Sequence, residues 1–159
     1  MKPVRDSLNG PGVLVINDDA AELDVFSRGL RLEGLEAIGT TSATEALELL
    51  AHTSCEVALI DLMISEINGL ELARKIRLTH PSVITILMSD YLLSPVQLAK
   101  ANTGVVGFVP KPCRLEEVAR FIRAKLEARS EKSLTSAARA EPHVDPQAPF
   151  DVLSVQFAW

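Results

Sequence analysis

Two cysteines among 159 residues, Cys55 and Cys113, are too few for a disulfide framework. They fit a reducing compartment, where each serves as a small, buried, apolar residue. Long hydrophobic runs are missing too. No stretch approaches the roughly 18 apolar residues of a membrane-crossing helix, and Met1 to Gly12 has no continuous apolar segment of the kind a secretion signal needs. The expected location is the cytoplasm, with no membrane partner. Positive charge is in the minority: 16 Lys and Arg face 21 Asp and Glu, a formal net charge of -5. That balance lacks the electrostatic footprint of a nucleic-acid binder, so no direct nucleic-acid contact is expected. The three histidines, His52, His80 and His143, stand at no metal-ligand spacing and read as surface residues.

What is present is a core. Hydrophobic residues make up 47% of the chain, enough for one ordinary domain and not clearly for two. Residues 1–11 mix Pro, Asn, Gly, Asp and Ser and read as a flexible leader. Val13-Leu14-Val15-Ile16 then forms a wholly apolar, β-branched run, which suits a strand covered on both faces. Leu23, Phe26 and Leu30 follow at helical spacing, with Gly34 as a stop. The alternation continues. Leu35 to Thr40 is a strand candidate, and Ser42 with Glu45 resembles a capping box opening a helix through Leu47 and Leu50. Val57 to Ile60 is a third strand; Leu70, Ala73 and Ile76 mark a helix before Pro81. Val83 to Met88 is a fourth strand, followed by a short helix around Pro95 to Ala101. Val105 to Val109 is a fifth, before a helix carrying Leu115, Val118, Ile122 and Leu126.

Strict strand–helix alternation implies an α/β fold, a parallel sheet with helices on both faces. Five units favour a flavodoxin-like doubly wound sheet of order 2-1-3-4-5 over a closed barrel. The domain is expected to span residues 12–128. Residues 129–159 read as a linker rich in Ser, Ala, Pro and charge, then a short apolar tail in which Phe150, Val152, Phe157 and Trp159 are apolar enough to dock.

In such a sheet, ligands sit beyond the carboxyl ends of the strands. The polar residues there are Asn17, Asp18 and Asp19, then Asp61, Ser89 and Lys111. Singly, each has a plain reading: Asp18 and Asp19 can cap a helix, and the others can be loop residues. Together they form a chemical set. Clustered carboxylates repel unless a cation intervenes, and Mg2+ takes oxygen ligands while needing only one or two carboxylates. A carboxylate beside such an ion can attack phosphorus to form an acyl phosphate, with Lys111 stabilising the transferring oxygens and Ser89 hydrogen-bonding the product.

At these residues the sequence resembles the receiver domains of bacterial two-component response regulators. The resemblance rests on VLVINDD (13–19), ALIDLMISEINGLEL (58–72), ILMSD (86–90) and GFVPKPC (107–113), in that order and spacing. It implies that Asp61 is the phosphoacceptor, that Ser89 and Lys111 assist, and that Ser89 and Phe108 form a switch. It implies Mg2+ held by Asp18, Asp61 and the Met63 backbone carbonyl, with Asn17 acting through a water and Asp19 just outside. The implied partners are a sensor histidine kinase or phosphotransfer protein and an unidentified downstream protein, with dimerisation left open. Three positions depart from the family pattern: Asn17 replaces an acid, Ser65 replaces a proline and so loosens its loop, and Asp90 replaces a small residue.

Other classes are weighed against this switch. An aspartyl-phosphate phosphatase of the haloacid-dehalogenase type needs a D-x-D pattern after the first strand, which Asn17-Asp18-Asp19 lacks, so the chain is read as not an enzyme. A flavin carrier needs a phosphate-binding loop where Asp18 and Asp19 would repel phosphate. The alternative retained is a phosphorylation-independent pseudo-receiver that serves only as a protein-interaction module, favoured by Asn17 and Asp90.

Overall fold

The apolar runs form strands and the 3.6-residue patterns form helices. The computed structural model describes residues 12–91, 94, 96, 102–137 and 151–153. In chain order the elements are β1 (Gly12–Ile16), α1 (Ala20–Leu32), β2 (Glu36–Thr40), α2 (Ala43–His52), β3 (Cys55–Asp61), α3 (Gly69–Thr79), β4 (Ile84–Ser89), β5 (Val105–Pro110), α4 (Leu115–Ala137) and β6 (Asp151–Val152). The first five strands pair in parallel in the expected order, β2-β1-β3-β4-β5. Caps set the helix starts: Ser42 accepts from the Glu45 N–H and Asn68 from the Leu70 N–H.

Alternation along the strands divides the core into two layers. Val13 and Val15 of β1, Val57 and Leu59 of β3, and Ile86 and Met88 of β4 pack with Phe26, Leu30, Val118 and Ile122 of α1 and α4. Leu14, Ile16, Ala58, Ile60, Leu87 and Phe108 face the other way, onto Ala46 and Leu50 of α2 and Leu72 and Ile76 of α3. Burying both faces explains why the strands read as continuous apolar runs rather than alternating ones. Each fully buried Leu or Ile contributes about 1.5–3 kcal/mol relative to an exposed one.

The structure departs from expectation in two places. First, the sheet has six strands. Asp151 and Val152 pair in parallel with Gly107 and Phe108, and the Leu153 N–H donates to the Phe108 carbonyl at 3.0 Å. This covers part of the β5 edge, whose backbone groups would otherwise lack strand partners. Second, α4 runs on to Ala137, through residues 130–137 that read as linker. That stretch contains neither Pro nor Gly, so nothing in it stops a helix already nucleated by packing. Arg129 also ties the helix to the sheet, donating to the Ser82 carbonyl and, at 2.9 Å, to Glu56. Cys55 and Cys113 are half-buried rather than fully buried. The leader, most of the expected helix at 95–101, and Phe150, Phe157 and Trp159 lie outside the described residues. Among the described residues no helix is long and apolar enough to cross a membrane.

Candidate functional site

Parallel pairing brings the carboxyl ends of β1, β3, β4 and β5 to one edge, and with them Asn17, Asp18, Asp61, Ser89 and Lys111. Asp61 is the last residue of β3 and is buried. Its Oδ1 accepts from the Met63 N–H at 2.8 Å, and its Oδ2 accepts from Lys111 Nζ at 2.7 Å. The chain turns tightly here because Gly69 lets α3 start against the β3 end. A Cβ on Gly69 would lie 2.5 Å from the Asp61 carbonyl oxygen, a separation no side chain tolerates.

Lys111 is the only cation at the centre of the described site. Its side chain is 7% exposed and reaches two carboxylates, Asp61 and Glu22, each at 2.7 Å. Burial alone would make its ammonium easier to deprotonate; hydrogen bonds to Asp61 and Glu22 and their negative charges outweigh that and raise its pKa above the ordinary lysine value. Asp90 approaches Lys111 at 3.6 Å but is largely solvated, so its contribution is weak. Ser89 is buried, and its Oγ accepts from the Tyr91 N–H at 2.9 Å. Phe108 is 1% exposed, its ring packed in the layer that faces α2 and α3.

The acidic residues after β1 separate by task. Asp19 caps α1, accepting from the Ala21 and Glu22 N–H groups. Asp18 is not a cap: its Oδ2 accepts from the Ser65 N–H at 3.0 Å, across to the β3–α3 loop. Asn17 is buried, its Oδ1 accepts from the Asp19 N–H, and its Nδ2 donates to Glu22 at 2.9 Å. The loosening expected from Ser65 is offset by two sets of ties, the first of which a proline could not make. Proline has no N–H to offer Asp18, and the neighbouring Glu66 accepts from the Ala43 N–H and from Thr44 Oγ1. A hydrogen bond from Ser42, and then those from Thr44 and Ala43, hold the Glu66 carboxyl below its ordinary pKa.

Glu22 is the site residue that sequence reading missed, because it stands among the polar positions of α1. A signal was available: Asp19 and Glu22 have capping-box spacing, in which the glutamate usually bonds the cap residue's N–H. Here Asn17 takes that N–H, which leaves both Glu22 oxygens for Lys111 and Asn17.

The donor chemistry suits a hard divalent cation. Asp18, Asp61 and the Met63 carbonyl are all oxygen donors on adjoining segments, and Mg2+ needs only one or two carboxylates with waters completing its shell. Among the described residues no three His, Cys, Asp or Glu side chains converge on one metal position, so any ion here would keep much of its water.

Residues 13–123 match the family model for the response regulator receiver domain. The chain belongs to that family. Its fold resembles a CheY-like receiver domain protein from Methanospirillum hungatei JF-1, with TM-score 0.71, 24% identity, and coverage of 77% of this chain and 98% of that one. Response regulator MprA of Mycobacterium sp. (strain KMS) is 28% identical over 118 residues, which are 74% of this chain and 51% of that protein. A cyclic di-GMP phosphodiesterase of Thermotoga maritima is 28% identical over 104 residues, 65% of this chain and 28% of that protein. The receiver thus spans about half, or less, of these curated relatives.

Proposed function

We propose that this receiver is a phosphorylation switch in which Asp61 accepts a phosphoryl group from a sensor histidine kinase or phosphotransfer protein. The observation that carries the reading is the setting of Asp61: a buried carboxylate at a strand end, oriented by the Met63 N–H and Lys111, with Asp18 on the adjoining loop. An Asp61 oxygen attacks phosphorus, a new O–P bond forms, and the donor's bond to phosphorus breaks with its electron pair leaving on the donor. Lys111 Nζ stays with the transferring oxygens and offsets their charge. Asp18, Asp61 and the Met63 carbonyl would hold Mg2+, with Asn17 reaching it through a water; the ion supplies charge neutralisation when bound. Asn17 has only its second Oδ1 lone pair for that water, since the Asp19 N–H uses the first.

The signal follows from added charge. A phosphoryl group brings about -1.5 to -2 and offers Ser89 Oγ–H, whose oxygen accepts from the Tyr91 N–H, a charge-assisted hydrogen bond that draws the hydroxyl inward. Phe108 sits on the neighbouring strand, Leu87 of β4 pairing with Phe108 and Ser89 with Pro110, so motion at Ser89 reaches the packed ring. The output is read as binding of a downstream protein, or a second copy, rather than turnover of a substrate. Val96, 61% exposed, belongs to the apolar patch expected there; Val106 packs partly into the core, and Leu92 and Leu93 lie outside the described residues.

The test is incubation with Mg2+ and a small phosphodonor, followed by intact-mass measurement. Wild type gains one phosphoryl mass, and Asp61→Asn gains none. Equal labelling of the variant refutes the assignment; no labelling of wild type favours the pseudo-receiver reading instead.

A further inference from the structure

We infer that Glu22 supplies a third carboxylate to the phosphorylation site, beside Asp18 and Asp61, the charge that Asn17 does not carry, and that Asn17 holds Glu22 in place to do so. The inference rests on the reading of Asp61 as an Mg2+-assisted phosphoacceptor and concerns which residues set the charge around it.

Three observations support it. Glu22 lies at the third helical position of α1, where a side chain leans back toward the helix start and hence toward the β1 end. Its Oε1 accepts from Lys111 Nζ at 2.7 Å, the same ammonium that Asp61 binds, so it belongs to the Asp61 network and not to the solvated face of the helix. Its Oε2 accepts from Asn17 Nδ2 at 2.9 Å. Asn17 therefore does what an aspartate at that position could not: it donates to the carboxylate. An acid at 17 would face Glu22 with like charge, and the amide removes that conflict.

The charge count supports the same conclusion. With Asp18 and Asp61, Glu22 gives the site three carboxylates, two of them on the buried Lys111, as an acid at position 17 would also have made three. Glu22 acts through its charge and through Lys111 rather than as a metal ligand, in keeping with the absence of a three-acid metal position among the described residues. Glu22 is thus a positioning residue. It fixes the Lys111 ammonium beside Asp61 and strengthens the negative potential that attracts a divalent cation.

Two measurements test this on Glu22→Gln, Asn17→Asp and the double variant. The first is chemical denaturation in chelator, which needs no cation. Asn17→Asp places like charges together and lowers stability, while Asn17→Asp with Glu22→Gln recovers it. The unfolding constants then show coupling of at least about tenfold, as expected for residues in direct contact. Independent effects of the two changes overturn the pairing. The second is calorimetric titration with Mg2+. Glu22→Gln keeps the shape and removes one charge near the ion, so affinity falls about tenfold, and the double variant returns to within about threefold of wild type. If wild type binds Mg2+ and is phosphorylated on Asp61 but Glu22→Gln binds as tightly, the inference fails and the receiver reading stands. If wild type neither binds Mg2+ nor labels at Asp61, both fail.

Discussion

Replacing Lys111 with methionine isolates the electrostatics of the site, because Met preserves most of the aliphatic packing and removes only the ammonium. Asp61 and Glu22 both reach Nζ at 2.7 Å, so without it they face each other with no cation between them. Removing one partner of a buried ion pair costs about 3–5 kcal/mol. Here the Asp61 side chain is 8% exposed but Glu22 is 29% exposed, so solvent screens part of the repulsion. A loss of about 2–4 kcal/mol at pH 7.5 is expected in urea denaturation with chelator present. The pH dependence has a defined sign. At the alkaline end, the Lys111 pKa is raised in the folded state. Its contribution is therefore fully present below the unfolded lysine value of about 10.4 and is lost as pH climbs through the higher folded value. The gap at pH 7.5 therefore persists to about pH 10 and shrinks only above it. A loss below about 0.5 kcal/mol at pH 7.5 refutes the view that Lys111 is the charge that makes this carboxylate cluster tolerable.

Other outcomes can be checked directly. Gly69→Ala drives a methyl into the Asp61 and Leu62 backbone, so calorimetry should show a loss of about 1–3 kcal/mol; a Tm within a degree of wild type contradicts the close approach. Burial pushes the Cys113 thiol up to about 11, so at pH 8 its alkylation, followed by mass spectrometry, should run roughly 100-fold slower than in urea; equal rates mean the thiol is open. A chain ending at Ala137 loses β6, a two-residue pairing, and should still unfold in one cooperative transition at a cost of about 1–2 kcal/mol; loss of folding would place the tail within the core.

Legibility in the sequence tracked how local the deciding physics was. β1, β3 and β4 were readable because burial on both faces demands runs such as Val13 to Ile16 and Val57 to Ile60, whatever surrounds them, whereas edge strand β2 alternates between buried and exposed and gave a weaker signal. The strand order followed from connectivity and handedness. The extension of α4 to Ala137 and the pairing of Asp151–Val152 with β5 were not readable in that way. Neither segment has the composition of the element it forms; each is placed by a scaffold already folded, through Arg129 on Ser82 and Glu56, and through an edge of β5 that offers hydrogen bonds to any extended segment within reach.

The candidate site divides along the same line. Asp61, Ser89 and Lys111 end apolar runs, so position in the chain was enough to bring them to one edge of the sheet. Where their charges are satisfied is a tertiary matter. Nothing in the local sequence says that Ser65 offers its N–H to Asp18, or that Glu22 leaves the cap it would ordinarily complete and meets a lysine 89 positions away. The departures at positions 17 and 65 look, one at a time, like losses of charge and of rigidity. In the folded chain each is matched by a contact the usual residue would forbid: an amide that donates to Glu22 where an acid would repel it, and a backbone N–H that reaches Asp18 where proline has none. A substitution at such a site is therefore judged by the group that moves in to meet it, and here that group is Glu22 in one case and Asp18 in the other.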